Sequence, residues 1–557
     1  MVIEIVWDNR CCLQFLWWGQ KPQEHPRTVF ELGLSQLPNF VFQELQFREL
    51  HSVKMDVSVT EVKETGGSRK RPETCEDNKD FLSNLPDPIL VHILSFLPLR
   101  DAIKTVLFRQ FGNLWLSMPV LDLDNCLYHE YEDYDFEYDD CDYENFMDLI
   151  HQVWNYHNDT TLDKLRLKLC FELQSKNGPA SDYANKEKER AAADQIENLV
   201  VHAISRKVKI LDLDFKGCAI SGSMDPLTFY EFPDHFRSNY LTDLRLAACD
   251  ITSFEEINLP ALRVLFLKDV AVSDEVMEKL LLGCQFLEDL SVVNCYGLGK
   301  MYCMNPNLKK VMVFVNIESR QLFLSCPHAV SLHLSGWIQG ATLLNVSSLV
   351  DCSLSFSYKF KCEQRSYDSI SRLLLGVHRC KTFIPCTWSI LVLTIWKLNN
   401  FPCPRFKWKN LRLTLDLTKW HHPGLSLLFK SSQSLETLSM YISHSRVSIS
   451  QFVKAARWIE DYEFDVQKYW DLQEADFPFL ESITLHGHIN EPSVIQMLKF
   501  LLKNAPRLRQ VLISAKHPAA SERKSKPYTS GQLKLLRHVL MTNANAFPYR
   551  VHSRQAK

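Results

Sequence analysis

The sequence predicts an α/β chain in three successive parts: a short helical module near residue ninety, a long solenoid of short strands behind it, and a closing strand–helix–strand unit. Three observations carry that reading. A proline-bounded apolar helix lies between Ser83 and Asp101, a spaced apolar pattern recurs from Leu162 to Ile513, and a last amphipathic helix follows Tyr469 between two strand patterns. At 557 residues the chain exceeds one compact domain; at about 100–200 residues per domain, the length suits several domains or one elongated array. Hydrophobic residues at 46% supply ample core, and 23% charged residues with a net charge of −3 give no global reason to expect nucleic acid or an acidic substrate as partner, so any charge-driven contact must be local.

The first 79 residues read as an extension without a stable fold. Trp7, Leu13, Phe15, Leu16, Trp17 and Trp18 make its start apolar, but Asp8 and Arg10 interrupt the run and no small-residue cleavage site follows, which makes a poor signal peptide. No later apolar run is long enough to span a bilayer. Seventeen cysteines occur singly apart from Cys11-Cys12, without Cys-x-x-Cys pairs or zinc-ligand spacing, and are expected as reduced thiols in cytosol or nucleus. Arg69-Lys70-Arg71-Pro72 reads equally as a nuclear address or a polar linker, as does Arg523-Lys524-Ser525-Lys526. Localisation is expected in cytoplasm, nucleus or both.

The helical module is expected over residues 80–125. Asp87 can cap a helix in which Pro88 takes the first position, where a missing N–H is harmless. Pro98 stops that helix, and Asp101 can cap a second. Between them Ile89, Leu90, Ile93, Leu94 and Leu97 recur at helical spacing, and Val91 and Phe96 widen the stripe beyond one face. So broad an apolar surface on so short a helix calls for a covering partner on one side.

The stretch from Leu85-Pro86 through Ile93-Leu94-Ser95-Phe96-Leu97 and Asp101 to Asn113-Leu114-Trp115 resembles an F-box. The resemblance implies a three-helix fold docking to the Skp-family linker protein of a cullin/RING ubiquitin ligase through Leu85, Pro86, Ile89, Leu90, Ile93, Leu94, Leu97, Phe111 and Trp115. Plant members carry Ser-Lys/Arg-Arg-Trp ahead of Asn-Leu-Trp, where this chain has Phe108-Arg109-Gln110-Phe111, one residue short. That departure bears on the third helix. Each apolar side chain a partner fully buries contributes roughly 1.5–3 kcal/mol before association costs.

Residues 126–148 form an acidic and aromatic linker, with Glu130, Asp133, Asp135 and Asp139 among Tyr131, Tyr134 and Tyr138. Crowded carboxylates oppose compaction, so a solvated insertion is expected, with a docking strip for a basic partner as the alternative. The Asp/Asn-Gly order of a calcium loop is absent.

Residues 149–468 are read as repeats. The pattern of an apolar residue, another three positions on and another two beyond appears at Leu162/Leu165/Leu167, Val208/Leu211/Leu213, Leu241/Leu244/Leu246, Leu262/Leu265/Leu267, Leu287/Leu290/Val292, Leu308/Val311/Val313 and Ala329/Leu332/Leu334, with similar units ending at Met440, Leu485 and Ile513. From Leu241 to Ala329 the starts lie about 21–25 residues apart, inside the range of roughly 20–29 for leucine-rich repeats. The last two apolar positions alternate inward on a short strand, so Arg245, Phe266, Ser291, Met312 and His333 are predicted to face outward and contact a protein target. Cysteines after the strands, as in Val293-Asn294-Cys295 and Ala248-Cys249-Asp250, read as structural. A loop from Gly178 and a charge run at 186–190 precede a helix expected over 191–204, and further degenerate strands are expected around Leu391 to Leu417.

Residues 469–550, followed by a tail over 551–557, carry Tyr469-Trp470, Phe477-Pro478-Phe479-Leu480-Glu481-Ser482-Ile483-Thr484-Leu485 and Leu498-Lys499-Phe500-Leu501-Leu502-Lys503-Asn504-Ala505-Pro506-Arg507-Leu508. These resemble the FBD module, expected as strand, helix and strand capping the solenoid's end. Together the three resemblances identify the chain as similar to plant F-box/LRR/FBD proteins, whose members often begin shortly before the F-box. Met55, ahead of Gly66-Gly67-Ser68, is accordingly expected as the authentic start, with 1–54 as an upstream extension.

No chemistry of its own emerges. Gly297-Leu298-Gly299-Lys300 lacks Walker spacing, no H-E-x-x-H occurs, and His421-His422 and His486-Gly487-His488 read as surface or turn histidines without a third metal ligand. No metal, cofactor, nucleic acid or membrane is expected. What the resemblance implies is a non-catalytic substrate adaptor, holding a protein target near a ubiquitin-conjugating enzyme. The alternatives are a non-degradative interaction protein with weakened linker binding and a receptor whose repeat pocket holds a small ligand.

Overall fold

The computed structural model describes residues 2–8, 12–18, 27–28, 85–97, 99–105, 111–124, 140–157, 161–169, 194–215, 230–232, 235–315, 322–336, 341–356, 364–443, 464–487 and 491–514. Met55, the basic clusters at 69–71 and 523–526, residues 126–139 of the acidic linker, Phe108 to Gln110, His488 and the tail lie outside them. The chain divides into two compact units, Met1–Phe229 and Tyr230–Lys557.

In the first unit, β1 (Val2–Asp8) and β2 (Cys12–Trp18) pair antiparallel, Val2 opposite Trp18, and β3 (Arg27–Thr28) joins β2. The sequence predicts no stable fold here. Strands form instead because Val, Ile, Phe and Trp dominate both runs and favour extended backbone.

The helical module follows. Helix α1 (Asp87–Leu94) has Pro86 at its N-cap and no side-chain cap, so Asp87 stands in the first turn, not at the predicted capping position. Its C-terminus closes through the Ser95 N–H on the Val91 carbonyl at 3.0 Å. Helix α2 (Leu99–Lys104) comes next, and among the described residues the third element is one 3₁₀ turn, Leu114–Ser117. Leu90, Leu94, Leu99, Ala102, Ile103, Phe111, Trp115 and Met118 fill the core between them.

The repeat sheet starts earlier than predicted, at β4 (Val120–Asp124), inside the stretch assigned to the helical module. Helix α3 (Asp140–Tyr156) takes over the end of the acidic linker. Phe146, Met147, Ile150 and Val153 are its buried stripe. Strand β5 (Lys164–Lys168), helix α4 over 194–205 and β6 (Ile210–Asp214) complete the unit; β4, β5 and β6 are parallel and in register, with Leu123, Leu167 and Leu213 inward. Buried His157 ties these parts together: its Nε2–H donates to the Met118 carbonyl at 2.8 Å and its Nδ1 accepts from Arg206 at 3.0 Å, which fixes a neutral ring.

In the second unit short strands β7 (Tyr230–Glu231) and β8 (His235–Arg237) precede β9 (Asp243–Ala247) and pair in parallel with β10 (Cys249–Asp250) and β11 (Glu256–Asn258). Then come β12 (Val264–Lys268), helix α5 (Asp274–Gly283), β13 (Asp289–Val293), β14 (Lys300–Tyr302), β15 (Lys310–Val315), β16 (Leu322–Ser325), β17 (Ser331–Gly336), β18 (Ala341–Leu343) and β19 (Asp351–Phe356). Helix α6 (Gln364–Gly376), β20 (Thr382–Ile384), α7 (Thr387–Leu398), β21 (Asn410–Asp416), α8 (His421–Ser431) and β22 (Thr437–Ser443) follow. Last are α9 (Val466–Tyr469), β23 (Ser482–Gly487), α10 (Pro492–Lys503) and β24 (Gln510–Ser514).

One parallel sheet runs β9-β12-β13-β15-β17-β19-β20-β21-β22-β23-β24, and a smaller one stacks β14-β16-β18. The predicted apolar triplets supply the inward residues, every one buried from Leu241 to Leu334. The turns ahead of the strands form their own backbone ladder. Arg263 N–H meets the Thr242 carbonyl, Glu288 meets Arg263, Lys309 meets Glu288, and the chain of bonds continues to Arg509 on Glu481, at 2.7–2.8 Å throughout. Each repeat thus satisfies its buried polar backbone on its neighbour.

Around Leu391 the prediction of a strand fails. Trp388 to Trp396 form a helix buried on all sides, α7, which packs on α8. A short, continuously apolar run has no period to separate helix from strand.

Candidate functional site

Two surfaces stand out. The first is on α1. Pro86 and Ile89 are exposed, Ile93 is half-buried, and Phe96 just past the helix is 75% exposed, its ring edge-on to exposed His92 at 4.9 Å. These positions follow helical spacing and form one ridge, with Leu85 and Leu97 half-buried beside it. Of the nine predicted linker-contact residues, Leu90, Leu94, Phe111 and Trp115 are buried at 1–3% exposure in the module's own core. They scaffold the ridge and are unavailable to a partner. Phe96, at the ridge's most exposed point, is not among the nine predicted contacts, because its spacing only widens the stripe; its place just after the helix end turns it outward.

The second surface is the outward face of the main sheet. In-register pairing places Arg245 beside Phe266, Phe266 beside Ser291, Ser291 beside Met312 and Met312 beside His333, so the five predicted residues make one row. Neighbours in such a row are about 4.8 Å apart. Ser353 continues it after His333. Arg245 is exposed and the rest half-buried, and burial pushes the His333 imidazole below its ordinary pKa. In the first unit the outward face instead carries ion pairs of its own: Arg166 reaches Asp122 at 3.3 Å, Asp124 at 3.7 Å and Asp212 at 3.8 Å, and Lys168 reaches Asp124 at 3.6 Å.

Cys249, Cys284, Cys326 and Cys380 are buried free thiols, and burial pushes the last three up to about 12, far from the range of a thiolate nucleophile. His421 and His422 are buried, contrary to the surface position predicted for them. Apolar surroundings draw them into the start of α8, where His422 Nδ1 accepts from Trp470 Nε1–H at 3.0 Å and His421 Nδ1 from the Thr418 N–H at 3.0 Å. A cavity of about 30 Å³ lined by residues that include Val292, Cys295, Met301, Val313 and Leu322 is well below the roughly 300 Å³ at which ligand pockets begin. Among the described residues no group of three or more His, Cys, Asp or Glu could hold a metal, and no helix is long and apolar enough to cross a membrane.

Comparison with known proteins decides the family. Residues 180–549, more than half of the chain, match the family model described as At1g61320/AtMIF1, LRR domain. The chain belongs to this leucine-rich-repeat family. Similar proteins include three from Arabidopsis thaliana. The putative F-box/LRR-repeat protein At3g18150 is 23% identical over 444 residues, 78% of this chain and 86% of the relative. The putative F-box/FBD/LRR-repeat proteins At1g66290 and At3g59240 are each 24% identical, covering 81% and 78% of this chain and 90% and 83% of themselves. The leucine-rich-repeat assignment agrees with the parallel sheet built on the predicted triplets.

Proposed function

We propose that this leucine-rich-repeat protein is the substrate-recognition subunit of a Skp–cullin–F-box ubiquitin ligase, as the names of its relatives suggest for them. The helical module binds the Skp-family linker and through it the cullin/RING ligase; the outward face of the repeats binds a protein target; the chain itself is non-catalytic and works in cytoplasm or nucleus. The observation that carries the reading is the ridge Pro86, Ile89, Ile93 and Phe96. Its helix already has a filled core on the other side, through Leu90 and Leu94, so the ridge is apolar surface left over after folding. Full burial of an exposed apolar side chain contributes roughly 1.5–3 kcal/mol, and Phe96 at 75% exposure would gain most of that and Ile89 at 46% about half.

The test is co-purification of the full chain with a Skp-family linker, comparing wild type with Ile89→Asp/Phe96→Asp. Both side chains are exposed, so the double variant is expected to keep its circular dichroism and lose the linker by at least about tenfold, the equivalent of about 1.4 kcal/mol. Wild-type protein that ignores the linker overturns the reading.

A further inference from the structure

Charge is distributed unevenly along the chain. Between residues 369 and 435 there are ten Lys and Arg and one acidic residue, Asp416, in a protein whose net charge is −3. The fold gathers part of this excess. In the extended segment Arg405-Phe406-Lys407-Trp408-Lys409 the aromatic residues point in and the cations out: Phe406 and Trp408 are buried at 2% and 0% and stack at 3.9 Å, Trp408 stacks on Phe383 at 4.2 Å, and its Nε1–H donates to the Val377 carbonyl at 3.0 Å. Arg405, Lys407 and Lys409 are exposed at every second position, which spaces them by about 6.8 Å.

The neighbouring segment repeats the arrangement. Arg379 and Lys381 are exposed on either side of buried Cys380. The Lys407 N–H bonds the His378 carbonyl at 2.9 Å and the Lys409 N–H the Lys381 carbonyl at 2.7 Å, which sets the two segments side by side. Arg379, Lys381, Lys407 and Lys409 therefore occupy the corners of a grid on a backbone that aromatic packing holds still. Among the described residues only Lys409 of these has a carboxylate partner, Glu436 at 2.5 Å, while Arg379 donates to its neighbour His378 at 3.2 Å.

We infer that this cationic grid is a docking surface for an extended acidic segment of a partner protein, with alternate Glu or Asp side chains of one strand facing alternate cations. Charge complementarity at fixed spacing carries the choice of occupant. A nucleic-acid strand would require exposed aromatic faces for its bases, and here Phe406 and Trp408 are turned inward. The inference deepens the adaptor reading by giving the target its chemistry, and it rests on that reading only for the partner's being a target.

Binding of a fluorescent peptide alternating Glu and Thr to the full chain tests it by anisotropy, beside the same peptide with Gln for Glu and a single-stranded oligonucleotide. The Glu peptide is expected to bind about tenfold or more tighter than the Gln peptide, to weaken with added salt, and to lose about tenfold with Lys381→Glu/Lys407→Glu, both exposed sites. Equal binding of the two peptides, indifference to charge reversal, or tighter binding of the oligonucleotide would each overturn the inference. Linker capture by the same double variant keeps the two readings apart: a variant that loses the peptide and keeps the linker supports the grid, and wild type that binds the peptide without the linker supports the grid while sinking the adaptor.

Discussion

Single residues fix several turns of this fold. Gly336 ends β17 with φ +94°, and a Cβ there would run into the backbone carbonyl of Val315 on the neighbouring strand. Gly336→Ala is expected to destabilise the second unit by about 1–3 kcal/mol, read as a lower denaturant midpoint. His421 and His422 add a pH dependence. Burial lowers His421 to about 3 and His422 to about 4, against 6.5 in the unfolded chain. Above pH 6.5 both states hold neutral rings and the full stability is present; below it the unfolded chain takes up protons that the folded chain refuses, and stability falls until about pH 4 for His422 and about pH 3 for His421. Between pH 7.5 and 5.5 the loss is about 1.4 kcal/mol per histidine. Denaturant unfolding at the two pH values is expected to show it, and His421→Gln/His422→Gln to flatten it.

Elements differ in how far their sequence declares them. The repeat strands were legible because solvent-facing positions such as Arg245 between Leu244 and Leu246, or Ser291 between Leu290 and Val292, are polar or charged often enough to expose the alternation, and the row from Arg245 to His333 followed from that alternation. The ridge on α1 was half legible. A stripe of Ile89, Leu90, Ile93 and Leu94 tells that two faces are apolar but not which one the module fills itself, and burial of Leu90 and Leu94 depends on Phe111 and Trp115 arriving from further along the chain. Helix α7 was not legible, since Trp388 to Trp396 face protein in every direction. Its partner α8 crosses it closely: Gly424 N–H donates to Thr394 Oγ1 at 2.9 Å, the Thr394 hydroxyl donates to the Trp420 carbonyl at 2.5 Å, and a Cβ on Gly424 would meet the Ile390 carbonyl. Gly424→Ala is therefore expected to force the helices apart and cost about 1–3 kcal/mol, whereas Gly376→Ala, whose Cβ would meet the Leu343 side chain at 3.7 Å, should leave the denaturant midpoint near wild type.

On the scale of the whole molecule, a stack of repeats has no single centre, and the consequence of losing a part depends on what it covers. In the last described part, Trp470 sits against Phe500 at 5.1 Å, His422 at 5.8 Å and Phe429 at 6.0 Å, and Phe477 packs on Phe429 at 5.8 Å. The Tyr469 hydroxyl meets Ser426 Oγ at 2.8 Å, while Val494, Leu498 and Leu501 of α10 are fully buried. Strand β23 also supplies the hydrogen-bonding partner of β22. Removing the chain from Tyr469 onward would expose Phe429, His422 and the edge of β22 together, leaving a wide apolar face and an unpaired strand of the kind that associates with other chains. Because nearest-neighbour contacts carry the stability of a repeat array, the loss is local in the sequence but severe in solution. Protein ending at residue 468 is expected to aggregate on size exclusion while the full chain does not, and Trp470→Ala in the full chain, which removes one ring and keeps the strand pairing, is expected to cost about 3–5 kcal/mol without aggregation at low temperature. A truncated chain that stays monomeric with an unchanged unfolding midpoint would mean that this terminal unit covers nothing the repeats need.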